Sequence, residues 1–172
     1  MSINYFKQSE KYRPNKITVL LVGEAPPPSQ KTYFYLPAEM NSNRNIKNYS
    51  SLPATIFYHY FQEIPSTEQE YENLLIKLEN KGIFLIDILD RPLQIRDWHT
   101  GLNKKNYKIL LAEIPKLRGK IKSRNIEIDN KNIIFLLARN NYKKELKKEF
   151  PGSEFIRWID FRFIKKLPID KS

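Results

Sequence analysis

The sequence predicts an α/β fold: a three-layer α/β/α sandwich around a four-stranded, mainly parallel sheet. Three observations carry this. Short apolar runs, "ITVLLV" (17–22), "IFLIDIL" (83–89) and "NIIFLLA" (132–138), lack the in–out alternation of a half-exposed strand and read as strands buried on both faces. Between them lie stretches whose apolar residues recur at helical spacing. Proline and glycine sit at the junctions rather than inside the runs. Strand and helix in alternation give parallel strands joined by right-handed crossovers. With 172 residues, the chain fits one domain spanning 1–172.

The elements follow in order. Gly23 ends the first strand, and from Glu24 to about Ser50 the chain holds Pro26, Pro27, Pro28 and Pro37 and then a polar stretch, which predicts a long loop. "SLPATIFYHYFQEI" predicts a short helix capped by Ser51, with Pro53 tolerated in its first turn. In "STEQEYENLLIKLENKG", Ser66 or Thr67 caps a helix whose apolar face is Tyr71, Leu74, Leu75 and Leu78, and Gly82 stops it. The second strand, 83–89, is interrupted by the polar residue Asp87, and Pro92 limits its extension. A helix from about Lys104 sets Tyr107, Leu110, Leu111 and Ile114 on one face until Pro115, where a kink or restart is expected. "NYKKELKKEF" predicts a charged helix after the third strand, "PG" at 151–152 stops it, "EFIRWI" supplies the fourth strand, and "DFRFIKKL" supplies a closing helix capped by Asp160.

Composition narrows the function. The chain has no cysteine, which excludes disulfides, thiolate zinc sites and cysteine-held iron–sulfur clusters; two histidines offer little for another metal. No metal or cofactor is expected. No run approaches the length of a membrane span, and the N-terminus lacks the apolar segment of a signal peptide, so a cytoplasmic protein without membrane contact is expected. A formal net charge of +11 attracts polyanions and makes nucleic acid the expected partner class, DNA ahead of RNA. Oligomeric state is not legible.

In an open parallel sheet, ligands bind beyond the carboxyl ends of the strands, so the segment after the first strand is where a site is expected. There stand Glu24, a stiff proline loop and the rings Tyr33, Phe34 and Tyr35, whose flat apolar faces suit a planar heterocycle. Behind the second strand, Arg91, Arg96, Lys104 and Lys105 are the expected contacts to a phosphate backbone. Trp98 and His99 share that loop and either wedge into a duplex or pack locally, and Lys143, Lys144, Lys147 and Lys148 form either a phosphate-facing stripe or a solvated helix face.

The stretch "VLLVGEAPPPSQKTYFY" resembles the first motif of the uracil-DNA glycosylase superfamily, in which a buried strand runs into a Gly-Glu-Ala-Pro or Gly-Gln-Asp-Pro loop followed by a base-stacking aromatic. It is similar to bacterial and archaeal members whose loop reads Gly-Glu-(Ala/Ser)-Pro-Pro and then an aromatic cluster, and "GIFLIDILDRP" resembles the second strand of that family. The resemblance implies a glycosidase that hydrolyses the N-glycosidic bond of a damaged base in DNA repair. Glu24 is the implied catalytic residue. Gly23, Ala25, Pro26, Phe34, Tyr35 and Asp87 are implied to hold the base, Phe34 or Tyr35 by stacking and Asp87 at its edge.

The departures are specific. Ala25 stands where Gly-Gln-Asp-Pro members carry an activating carboxylate, which leaves Glu24 as the only acid of the motif. The region matching the family's second motif, "FPGSEFIRWIDFRF", has no histidine, so the usual electrophile is missing; Arg157 and Arg162 are its nearest cations, and His99 is a displaced alternative. Two other readings therefore stand beside the enzyme: a catalytically silent nucleic-acid or nucleobase binder, and an interaction protein whose pocket is filled by its own aromatics.

Overall fold

The computed structural model describes residues 4–27, 33–37, 51–93, 104–137, 142–157 and 160, with the backbone alone at 104–107. Four strands, β1 (Val19–Gly23), β2 (Ile83–Asp87), β3 (Ile133–Leu137) and β4 (Glu154–Arg157), form one sheet in the order β2-β1-β3-β4. Every pairing is parallel, with Gly23 opposite Asp87 and Val22 opposite Phe135. The strands of the first three runs are buried almost throughout, as expected of a sheet covered on both faces, while the edge strand β4 is more exposed.

Five α-helices accompany the sheet among the described residues: α1 (Tyr5–Glu10), α2 (Leu52–Phe61), α3 (Glu68–Asn80), α4 (Lys104–Ser123) and α5 (Lys143–Glu149). The chain moves from β1 outward to β2, then crosses back past β1 to β3 and on to β4. With right-handed crossovers, that reversal sends α2 and α3 to one face and α4 and α5 to the other. The core lies on both sides of β1 and β3, around Phe84, Phe135, Phe57 and Phe150, whose side chains are fully buried.

The capping chemistry matches the sequence. Ser51 accepts a bond from the Ala54 N–H, and Thr67 from the Glu70 N–H. Glu70 in turn accepts from the N–H and hydroxyl of Ser66, which closes the start of α3 from both sides. Gly82 adopts φ +73°, and a Cβ there would stand 2.7 Å from the Lys16 carbonyl, so only glycine joins α3 to β2 at this point.

Three expectations change. Pro115 does not restart a helix: α4 runs as one element through it. Loss of the bond to the Leu111 carbonyl is offset by Leu110, Ile114, Leu117 and Ile121, which are buried on the core side. Helix α1, capped by Asn4, was not signalled, because six residues give too little periodicity. Asp87 does not interrupt a longer strand but ends β2. The expected closing helix from Asp160 lies outside the described residues except for Asp160 itself.

The second strand is an edge, and its exposure to further pairing is closed by a side chain. The Tyr35 hydroxyl donates to the Leu85 carbonyl at 3.0 Å and accepts from the Leu85 N–H at 2.7 Å, so one phenol stands in for a neighbouring strand. Tyr35→Phe leaves both groups buried and unsatisfied. A loss of about 1–3 kcal/mol is expected, read as a lower midpoint in urea unfolding; an unchanged midpoint would remove the hydroxyl from the fold's support.

Candidate functional site

Glu24 leaves the end of β1 with its backbone fixed. The Ile88 N–H donates to the Gly23 carbonyl at 2.9 Å and the Leu89 N–H to the Glu24 carbonyl at 3.1 Å, so the pairing of β1 with β2 continues past both strands. Its side chain is 7% exposed, and the Tyr142 hydroxyl donates to its Oε1 at 2.9 Å. The chain leaves β1 toward β2 but leaves β3 toward β4, so the carboxyl ends of β1 and β3 flank the switch point at which an open parallel sheet forms its crevice. The Tyr142–Glu24 bond spans that crevice. The stiff neighbours Ala25 and Pro26 are half-buried and buried beside it.

Asp87 stands across from Gly23 in the sheet register. The missing side chain of Gly23 makes its room, since a Cβ there would lie 2.4 Å from Asp87 Oδ1. Burial pushes the Asp87 carboxyl up to about 7; the positive charges of Lys120 and Arg124 oppose the rise, and the negative charges of Asp90 and Glu24 add to it. No hydrogen bond reaches the carboxylate among the described residues. Lys120 holds the backbone beneath it instead, donating to the carbonyls of Asp87 at 2.7 Å and Ile88 at 3.2 Å and pairing with Asp90 Oδ1 at 2.6 Å. Arg124 joins the same Asp90 oxygen at 3.3 Å.

The structure thus brings Gly23, Glu24, Ala25, Pro26 and Asp87 together at one end of the sheet. It does not bring Phe34 and Tyr35 with them as an open wall. Both rings are core residues, 4% and 3% exposed, with Phe34 stacked on Phe57 and Tyr35 edge-on to Phe34. The bulk of three successive aromatics is better hidden than presented to water, and stacking a base on either ring requires the core to open. Tyr33 is likewise buried, with its hydroxyl on the Tyr5 carbonyl at 3.0 Å.

Of the expected backbone contacts, Arg91 is exposed after β2, Lys104 and Lys105 open α4 with their side chains undescribed, and Arg96 lies outside the described residues, as do Trp98, His99 and Arg162. In the lysine cluster, Lys143 sits over the Phe155 ring at 6.0 Å, while Lys144, Lys147 and Lys148 are exposed. Arg157 is committed to Asp160 at 2.6 Å.

Sequence reasoning missed Tyr142, Lys120 and Arg124. The signal for Tyr142 was its place just beyond the third strand, where a ring with a polar tip faces the same crevice as Glu24. Lys120 and Arg124 sit among solvated lysines in the last turn of α4 and just beyond it, and nothing in the spacing separates them.

No family model, curated protein or solved structure matches the chain. Among the described residues, no group of three or more acidic or histidine side chains is arranged to hold a metal, and no helix is long and apolar enough to cross a membrane.

Proposed function

We propose that the protein is a uracil-DNA-glycosylase-like hydrolase that cleaves the N-glycosidic bond of a damaged base in DNA, with Glu24 and Asp87 as its two working carboxyl groups. The observation that carries the reading is their juxtaposition: two acids at adjoining strand ends, with Gly23 leaving the space that Asp87 fills. The four parallel strands and the Gly23–Pro26 loop agree with the resemblance in the sequence.

The roles divide by environment. Glu24, oriented by the Tyr142 hydroxyl, aligns a water molecule for attack on the sugar carbon as the bond to the base breaks. Asp87, raised to about 7, retains a proton near neutrality and donates it, or a hydrogen bond, to the departing base. That supplies the electrophile which the absent second-motif histidine otherwise provides. The net charge of +11 supplies the attraction to DNA that helps offset the few kcal/mol of base extrusion.

The test is incubation of the pure protein with labelled single- and double-stranded oligonucleotides carrying uracil, hypoxanthine or xanthine, followed by alkaline treatment. Strand cleavage at the modified base is the expected result. The missing histidine also favours a second reading, a binder without chemistry, and salt-sensitive retention of the oligonucleotide with no cleavage would select it. Neither cleavage nor retention would overturn both and leave an interaction protein.

A further inference from the structure

A cavity of about 390 Å³ lies between the segment that follows Asp87 and residues 109–120 of α4. Its floor is aliphatic: Ile88, Leu89, Ile109 and Leu117. Its rim is charged but unevenly committed. Lys120 is saturated by three acceptors, and Lys116 pairs with Glu113 Oε1 at 2.9 Å. Arg91 lines the same cavity, is exposed, and makes no ion pair or hydrogen bond among the described residues. Among the described residues Asp90 uses only Oδ1 for its two cations and Glu113 only Oε1 for its one, so each has a second oxygen that can accept.

We infer that this cavity binds a nucleoside monophosphate, with its phosphate on Arg91, its base on the aliphatic floor, and its hydroxyl or amino donors on the spare oxygens of Asp90 and Glu113. An arginine fork suits a phosphate in two-point contact. The aliphatic floor covers a flat ring, and two acceptors at the rim suit a ligand that carries hydroxyl or amino donors as well as a negative charge; a fatty acid lacks the donors, and inorganic phosphate lacks the ring. The volume falls at the small end of ligand pockets, the right scale for one nucleotide rather than a dinucleotide. The site goes beyond the hydrolytic reading and stands whether or not Glu24 and Asp87 do chemistry.

The experiment is titration of the ¹⁵N-labelled full chain with AMP, adenosine, inorganic phosphate and a four-nucleotide single strand, followed by amide shifts. Saturable shifts confined to 88–91 and 109–120 are expected with AMP, at a Kd of about 1 mM or tighter, with adenosine and phosphate each weaker by about tenfold or more. Arg91→Ala should weaken AMP by a similar factor, and Ile109→Trp, which fills the floor, should abolish the shifts while the dispersed spectrum shows the chain still folded. If the tetranucleotide matches AMP in affinity and in the residues shifted, the bound unit is a nucleotide within a strand and the site remains; if AMP alone shifts them, the ligand is the free nucleotide. Phosphate equal to AMP, an Arg91→Ala variant that binds as before, or shifts spread over the exposed lysines of α5 would each overturn the inference.

Discussion

Asp87→Asn is expected to make the protein more stable at pH 8 and, in the same molecule, to abolish turnover. The sign follows from the direction of the shift. In the unfolded chain the carboxyl titrates near its ordinary value of 3.8, and in the folded protein near 7, chiefly because burial disfavours its charge. Below about pH 4 both states hold the proton and Asp87 contributes no pH dependence. Between roughly 4 and 7 the unfolded chain releases the proton while the folded one keeps it, so stability falls as pH rises; above 7 both are ionised and the loss is complete. Three pH units correspond to about 4 kcal/mol as an upper bound, and water reaching the half-buried carboxylate reduces this to about 1–3 kcal/mol. Asparagine keeps the shape and drops the charge, so the variant's advantage in urea unfolding should be small at pH 4, grow to pH 7 and then level. A constant difference, or one of opposite sign, would place the Asp87 carboxylate in a better-solvated setting. The loss of turnover, on the order of 10²–10⁴-fold for a displaced general acid, separates a working residue from a merely strained one.

Glu24→Gln carries the second large effect. Glutamine retains the size of the side chain and can still accept from Tyr142, so the fold should be preserved and DNA affinity, set by the basic surface, nearly unchanged. Turnover should fall by about 10²–10⁴-fold, because the amide no longer draws a proton from the attacking water. Tyr142→Phe tests orientation alone: it removes the bond across the crevice and should lower the rate by about tenfold while the carboxylate remains. Full activity in Glu24→Gln, measured as base release in single turnover, would take Glu24 out of the chemistry whatever becomes of Tyr142.

Much of this architecture was legible because burial on both faces leaves a plain mark. The three apolar runs gave β1, β2 and β3 within about two residues, and Ser51, Thr67 and Gly82 marked helix ends through local hydrogen bonding and backbone freedom that need no distant partner. Pro115 left a restart open because its cost is local, whereas the burial of Leu110, Ile114, Leu117 and Ile121 that outweighs it depends on the rest of the fold. At the site, Glu24 and Asp87 could be named from strand ends, but their meeting depends on register, and the role of Gly23 as the gap beneath Asp87 depends on it too. The three aromatics after the proline loop offered both an exposed wall and a core plug. The structure puts Phe34 and Tyr35 in the core, where the Tyr35 hydroxyl also seals the edge of β2, a task that Phe could not perform.

The most direct test of the paired-carboxyl account is the rate of base release from a modified oligonucleotide, in single turnover, from pH 5 to pH 9, for the wild type, Glu24→Gln and Asp87→Asn. The account predicts a wild-type rate that falls about tenfold per pH unit above about 7, as Asp87 gives up its proton, and near-background release by both variants at every pH. Release that stays level through pH 9, or that either variant matches, would contradict it.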